Sequence, residues 1–309
     1  MLPCRVAGHT PMWEEGAPIA PGWGLGAGRC RVPSVCPTTA ISPTMLKIGI
    51  ICVCTGKYQQ FFDGFYRTCE QNFLPGEAEK EYFIFTDNMN LSHAPNVHLV
   101  EKHCQGFPKD ALFRYDMILE HEQELAQMDY IYSFNSNSEF LLPIGREVLP
   151  ETSEQIVACV WPKKHRSLNL PFTFPYERNK KSMAYISPYD GGGKFYYHMG
   201  SFNGGHAAAY LSMVHTLASN IRRDWERGIV AIFHDESHLN KYLRSHPCKV
   251  LPREWHYPEE WLNGRFVPRV GLRHKVSVDK YFDKGRKHSQ WARTKRTFER
   301  VWRAVSWYF

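Results

Sequence analysis

Residues 130–140, YIYSFNSNSEF, close a strand-like run on Asn135-Ser136-Asn137. In an extended chain the side chains at i and i+2 point the same way, so the two amides form a pair. Two carboxylates in those positions would hold a divalent cation. Two amides bring no charge to a hard dication, yet they remain good hydrogen-bond partners for phosphate or sugar oxygens. Further along, His234-Asp235-Glu236-Ser237 set an imidazole and two carboxylates on consecutive positions ahead of a helical run, Leu239, Tyr242 and Leu243. By themselves these four read as a helix start, with Asp235 or a neighbour capping the first turn.

The elements that must position these residues alternate. LKIGIICVCT (46–55) reads as a strand, after which Phe61, Phe62, Phe65, Tyr66, Cys69 and Phe73 recur at helical spacing. EYFIFTD (81–87), NVHLVEK (96–102), YIYSF (130–134) and QIVACV (155–160) are strands by their β-branched and aromatic content. Leu112, Tyr115, Leu119, Glu122 and Leu125 trace one longer helix that begins just after Pro108. KFYYHMGSFNGG (194–205) ends on a glycine pair ahead of a helix near 206–219, and such glycines permit close approach of a ligand or a helix. The alternation predicts an α/β fold with a mixed, mostly parallel sheet covered on both faces. Ligands on such sheets sit beyond the carboxyl ends of the strands, where Asn135–Asn137 and Thr55–Tyr58 both fall.

Composition narrows the class. The 309 residues are 43% hydrophobic and 14% aromatic, enough for a sizeable globular core. No apolar run approaches the ~18 residues of a transmembrane helix. Nine cysteines show neither a CxxC pair nor zinc spacing, so Cys52 and Cys54 read as small buried hydrophobes in a reducing compartment. The net charge of +7 belongs to the C-terminal end: residues 284–309 carry eight Lys or Arg against Glu299, and the rest sums to zero. Residues 1–44 hold thirteen Gly or Pro and no periodicity, and are expected to be disordered or foreign to the native protein, with Met45 a candidate start.

GIICVCTGKY, RYDMI around Arg114, FNSN, PYER, YYHMGSFNGG and HDESHLNKY stand in the order seen in family 6 glycosyltransferases, over roughly residues 46–275. The resemblance implies a GT-A fold with a single Rossmann-like nucleotide-sugar-binding domain, 45–283. It implies a retaining transfer of galactose or N-acetylgalactosamine from UDP-galactose or UDP-N-acetylgalactosamine to the 3-hydroxyl of a β-galactoside, in many members an α-1,2-fucosylated one. Mammalian members carry Asp-x-Asp where this chain has Asn135 and Asn137. Bacterial relatives carry Asn-x-Asn, so no divalent metal and no other cofactor is expected, and basic side chains stabilise the leaving diphosphate instead.

By the same resemblance, Thr55 and Tyr58 are uracil contacts, and Arg114 lies near the amide pair and the donor sugar. Arg273, Lys275 and Lys280 are candidates to clamp the diphosphate. Glu236 matches the catalytic glutamate, as nucleophile or as stabiliser of an oxocarbenium-like state. Asp235 matches a donor-sugar contact and His234 an acceptor contact. Met199 and Ser201 flank Gly200 on the two positions that separate A from B donor specificity. Methionine with a residue larger than glycine leans towards UDP-galactose, although a serine hydroxyl can hydrogen-bond an amide. Three departures bear on acceptor choice: Trp161 replaces a histidine that touches the acceptor, Phe233 a tryptophan, and Asn179 an arginine.

Trp291, Phe298, Val301, Trp302, Val305 and Phe309 lie near one helical face of the basic tail, 284–309. That pattern reads as an anchor at an anionic membrane surface rather than a nucleic-acid contact, for an enzyme that is cytoplasmic and peripherally membrane-associated. The sequon at Asn90 is expected to be unused. The rival readings are a non-catalytic UDP-sugar or glycan-binding relative that has lost the metal motif, and a metal-dependent enzyme with other ligands.

Overall fold

A computed structural model describes residues 45–91, 93–106, 108–162, 170–190, 194–262, 264, 266–275, 302 and 305–308. Among the described residues ten strands run in chain order: β1 (Leu46–Val53), β2 (Ala78–Thr86), β3 (Val97–Glu101), β4 (Tyr130–Asn135), β5 (Ser138–Phe140), β6 (Ile156–Val160), β7 (His198–His206), β8 (Cys248–Leu251), β9 (His256–Pro258) and β10 (Val270–Leu272). Among the described residues six assigned α-helices pack on these strands: α1 (Phe62–Asn72), α2 (Lys109–Leu112), α3 (Arg114–Leu119), α4 (Glu122–Leu125), α5 (Ala207–Glu226) and α6 (His234–Ser245). The main sheet has seven strands in the order β3-β2-β1-β4-β7-β6-β8, and a small sheet has the order β5-β10-β9. Within the main sheet only β7 runs against its neighbours, β4 and β6. This mixed α/β arrangement is GT-A-like.

Strand alternation divides the core. Ile48, Ile50 and Cys52 of the first strand, with Cys54 just beyond it, face one side, where α1 and the residue after it lay down Phe62, Phe65, Cys69 and Phe73. Ile51 faces the other side, with Phe83, Phe85 and Ile131, against Tyr115, Ile118, Tyr210, Val214, Leu217 and Leu239 of α3, α5 and α6. The two cysteines of CVC are fully buried, as their period-2 spacing predicts.

Two expectations change. The helix foreseen over 109–125 is three short ones, broken where Phe113 (φ −94°, ψ 16°) and His121 (φ −116°, ψ 25°) leave helical geometry. Arg114 consequently starts a helix of its own, α3. The glycine pair Gly204-Gly205 serves strand packing and not a ligand. A Cβ on Gly204 would collide with the Tyr132 ring, and one on Gly205 with the Gln155 carbonyl, so β7 fits between β4 and β6 only without side chains there.

The 1–44 segment, Lys280 and most of the basic tail lie outside the described residues. Of the tail, Trp302 and Val305 are exposed, whereas Trp307 is buried among Phe174, Tyr176, Ile186 and Tyr197. Its indole N–H donates to the Ile186 carbonyl at 2.9 Å, and the Arg178 guanidinium lies 4.9 Å from the ring centre. Among the described residues no helix is long and apolar enough to cross a membrane.

Candidate active site

The site is a row along one edge of the main sheet. β1 ends at Val53, beside Asn135 at the end of β4. Because β7 runs antiparallel to β4, its opening residues 198–201 come to that same edge. Two strand spacings, about 10 Å, separate the first strand from β7. A sugar diphosphate spans such a distance.

At the first position Thr55 is buried and precedes a 3₁₀ turn, Gly56–Phe61, that carries Tyr58, whose N–H donates to the Thr55 carbonyl at 3.1 Å. Asp87, just after β2, holds this turn by accepting from the Gly56 N–H at 2.9 Å and from the Gln59 amide. Gly56 has φ +56°, a left-handed conformation that suits glycine. Lys275 reaches across: its ammonium donates to the Tyr58 hydroxyl and lies 4.6 Å from the ring centre.

At the middle position Asn135 is half-buried and Asn137 is buried. The Asn137 side-chain N–H donates to the Arg273 carbonyl at 2.8 Å, while the Arg273 backbone N–H donates to the Asn137 backbone carbonyl at 2.8 Å. Asn137 therefore extends the ladder between β5 and β10. Its Oδ1, and the Ser136 hydroxyl beside it, are buried without a partner among the described residues. Arg273 spends its guanidinium on Glu139, at 3.0 and 3.1 Å, and on Glu259 at 3.4 Å. Its charge is locally balanced, so Lys275 is the better placed of the two candidate clamps.

The donor set does not fit a divalent cation. Amides stand where carboxylates would be needed, one of them already bonds a carbonyl, and Glu139 is taken by Arg273. Among the described residues no cluster of three His, Cys, Asp or Glu has metal-binding geometry.

At the third position α6 delivers HDES. The helix begins without a side chain of Asp235 as cap; instead the Phe233 N–H donates to the Ser237 hydroxyl at 3.0 Å. His234 has φ +54°, a strained conformation for a residue with a Cβ, which turns the chain sharply into the helix. Asp235 pairs with Arg114 at 3.1 Å, and Arg114 also donates to the Gly200 carbonyl at 3.3 Å. The Gly200 N–H donates to Glu236 Oε2 at 2.8 Å. Gly200 is thus held from both ends, with Asn203 Nδ2 adding a second donor to its carbonyl at 3.1 Å.

Burial pushes the Glu236 carboxyl up to about 7, against the pull of the Gly200 N–H, Tyr197 and Arg114, and with a push from Asp235. Burial also raises Asp235, opposed first by Arg114, and lowers His234, opposed by Asp235. Met199 and Ser201 flank Gly200 and are both buried. Trp161, beyond β6, donates its backbone N–H to the Tyr197 carbonyl at 2.7 Å and meets the Trp261 ring edge to face at 5.4 Å.

The structure therefore joins Arg114, Gly200, Asp235 and Glu236 directly, joins Tyr58 to Lys275, and gives Arg273 and Asn137 to each other. Sequence reasoning missed Asp87, Tyr197, Asn203, Asn240 and His256. Asn240 lies inside HDESHLNKY, and Tyr197 and Asn203 lie inside YYHMGSFNGG, so those motifs carried a signal; Asp87 and His256 are single residues in unremarkable contexts.

A family model, Glycosyltransferase family 6, matches residues 39–273. The chain is 30% identical over 218 residues to the O-antigen biosynthesis glycosyltransferase WbnI of Escherichia coli, across 69% of this chain and 89% of that protein. It is 31% identical over 230 residues to globoside alpha-1,3-N-acetylgalactosaminyltransferase 1 of Gallus gallus, across 70% of this chain and 63% of that one. Histo-blood group ABO system transferase 2 of Rattus norvegicus is 30% identical over 225 residues, with 70% and 64% covered. The match thus spans under two thirds of these vertebrate proteins and most of the bacterial one. With the matched region containing the whole row from Thr55 to Arg273, the chain belongs to glycosyltransferase family 6.

Proposed function

We propose that the protein moves galactose or N-acetylgalactosamine from a UDP-sugar to the 3-hydroxyl of a β-galactoside, with retention and without a divalent metal. The observation that carries this reading is the contact between Gly200 and Glu236. One carboxylate oxygen is fixed by a backbone N–H at 2.8 Å, in the middle of the strand segment that resembles the donor pocket. Uracil lies against Tyr58 and Thr55. Lys275 and the Asn135 amide meet the diphosphate. The sugar rests over Gly200 between Met199 and Ser201, and the acceptor enters past His234 and Trp161.

The charges support the assignment. Arg114 balances Asp235 in a buried ion pair, which leaves Glu236 as the uncompensated carboxylate of the trio. A carboxylate raised by burial is poised to meet a cationic anomeric centre. As the C1–O bond to UDP breaks, UDP leaves with the electron pair. Glu236 either bonds C1, to be displaced by the acceptor oxygen in a second step, or stabilises the oxocarbenium-like centre while that oxygen adds from the same face; in either route the proton of the acceptor 3-hydroxyl passes to an oxygen of the departing diphosphate. The basic tail at an anionic, cytoplasmic membrane face belongs to the same proposal, with a lipid-linked glycan as acceptor.

The test is UDP release in EDTA with each UDP-sugar and a fucosylated galactoside acceptor. Turnover in EDTA is expected. Activity that appears only when Mn²⁺ is restored overturns the metal-free mechanism, and silence in both conditions favours a non-catalytic binding protein.

A further inference from the structure

His256 opens β9 with its imidazole fully buried. Nδ1 lies 3.2 Å from the Ser201 hydroxyl and Nε2 lies 3.3 Å from the Ser138 hydroxyl. Its ring edge meets Phe202 at 5.7 Å and 77°. These contacts tie β7 of the main sheet to β5 and β9 of the small one. The last pair between β4 and β7 is Phe134 with Phe202, so the next step sets Asn135 beside Ser201. Ser201 is therefore anchored on one side by the imidazole and adjoins the amide pair on another.

Burial pushes this imidazole down to about 3, so it is neutral whenever the protein is folded at ordinary pH. A neutral imidazole has one N–H and one lone pair. One serine must donate to it and the other must accept from it. The Ser201 hydroxyl is consequently not a free rotor. Either its hydrogen is given to Nδ1 and only lone pairs remain, or Nδ1–H occupies a lone pair and the hydrogen remains. A 2-acetamido sugar offers an N–H, a carbonyl and bulk, whereas a 2-hydroxyl sugar offers a small group that both donates and accepts.

We propose that His256 is a positioning residue that fixes the rotamer and hydrogen-bonding sense of Ser201, and through it the discrimination between 2-hydroxyl and 2-acetamido sugar donors. The inference rests on the reading of Ser201 as part of the donor pocket. A polar group held in one orientation discriminates far more strongly than one free to turn.

The experiment compares kcat/KM for UDP-galactose and UDP-N-acetylgalactosamine in the wild type, His256→Asn, His256→Gln and Ser138→Ala. An asparagine amide lies where Nδ1 lies and keeps the Ser201 bond; a glutamine amide reaches the place of Nε2 and keeps only Ser138. The Asn variant is expected to hold the wild-type donor ratio within about twofold, and the Gln variant to shift it by about tenfold. Ser138→Ala loosens the far anchor without touching the pocket, and shifts the ratio in the same direction; it decides the matter if His256→Gln does not fold. A ratio unchanged in both His256→Gln and Ser138→Ala overturns the inference, as does an equal shift in the Asn and Gln variants. A wild type that turns over neither donor overturns the donor-pocket reading and this inference with it, an outcome distinct from an active enzyme whose ratio does not move.

Discussion

Asn240 holds His198 by both backbone edges: its Oδ1 accepts the His198 N–H at 2.8 Å and its Nδ2 donates to the His198 carbonyl at 2.9 Å. One buried amide on α6 thereby imitates a neighbouring strand where β7 enters the site. The same Nδ2 reaches the Glu236 carbonyl at 2.8 Å, so helix and strand keep a fixed offset. Asn240→Asp leaves a carboxylate facing two carbonyl oxygens. The expected loss is about 3 kcal/mol in denaturant unfolding, together with a fall in kcat, because a buried acceptor would oppose acceptors.

Glu236 links pH to both activity and stability. Its carboxyl sits at about 7 in the fold against an ordinary 4.5, so the folded protein holds an extra proton between those values. The resulting stabilisation is complete below 4.5 and is lost as pH rises through about 7. Glu236→Gln should therefore melt higher than the wild type above pH 7, with the difference closing below 4.5. Transfer needs the ionised form, so kcat/KM should fall on the acid side with an apparent pKa near 7. The Gln variant should lose roughly 10²-fold or more in kcat and lack that limb.

Lys275 and Arg273 are near in sequence and differ in employment. Lys275→Ala removes the cation above Tyr58 and is expected to weaken UDP binding about tenfold by calorimetry, with little change in melting temperature. Arg273→Ala removes the guanidinium from Glu139 and leaves Glu259 only the His274 N–H at 2.8 Å. It should lower stability by about 1 kcal/mol while UDP affinity holds. The opposite pattern would return the clamp to Arg273.

Two glycines of one strand predict contrasting variants. A Cβ at Gly204 stands 2.7 Å from the Ile131 carbonyl and inside the Tyr132 ring, so Gly204→Ala should destabilise by about 3 kcal/mol. A Cβ at Gly200 meets Asp235 Oδ2 at 3.5 Å and Glu236 Oε2 at 3.6 Å, which is ordinary contact. Gly200→Ala should fold normally and lose about tenfold or more in kcat/KM, since the methyl takes space above the carboxylate. Thermal melts and donor kinetics on the pair separate packing from chemistry.

Much of this was legible because it is local. Period-2 and helical spacing over 46–73 give β1 and α1 with their buried faces, and HDES ahead of Leu239 gives α6. The break at Phe113 was not legible, since Leu112, Tyr115 and Leu119 keep a helical period across it. What Asn137 and Arg273 do for one another was hidden for a different reason: they are partners across 136 positions of chain. His256 likewise gives no sign in EWHYPEEW that it bridges Ser138 and Ser201, 118 and 55 positions away. Motif residues reveal their neighbours in sequence; the bonds that decide which of them are free for a ligand come from elsewhere in the fold.

The small sheet joins residues 138–140 to 256–258 and 270–272, and with them Asn137, Ser138 and His256. In kinetic terms that is the longest loop closure between paired strands among the described residues, and such closures carry their entropic cost before any contact offsets it. Most of the large sheet and its helices can form while this corner is still open. A refolding chain would then show native secondary structure and buried cores before it gains any catalytic competence, and recovered turnover reports the closing of three short strands rather than the folding of the domain.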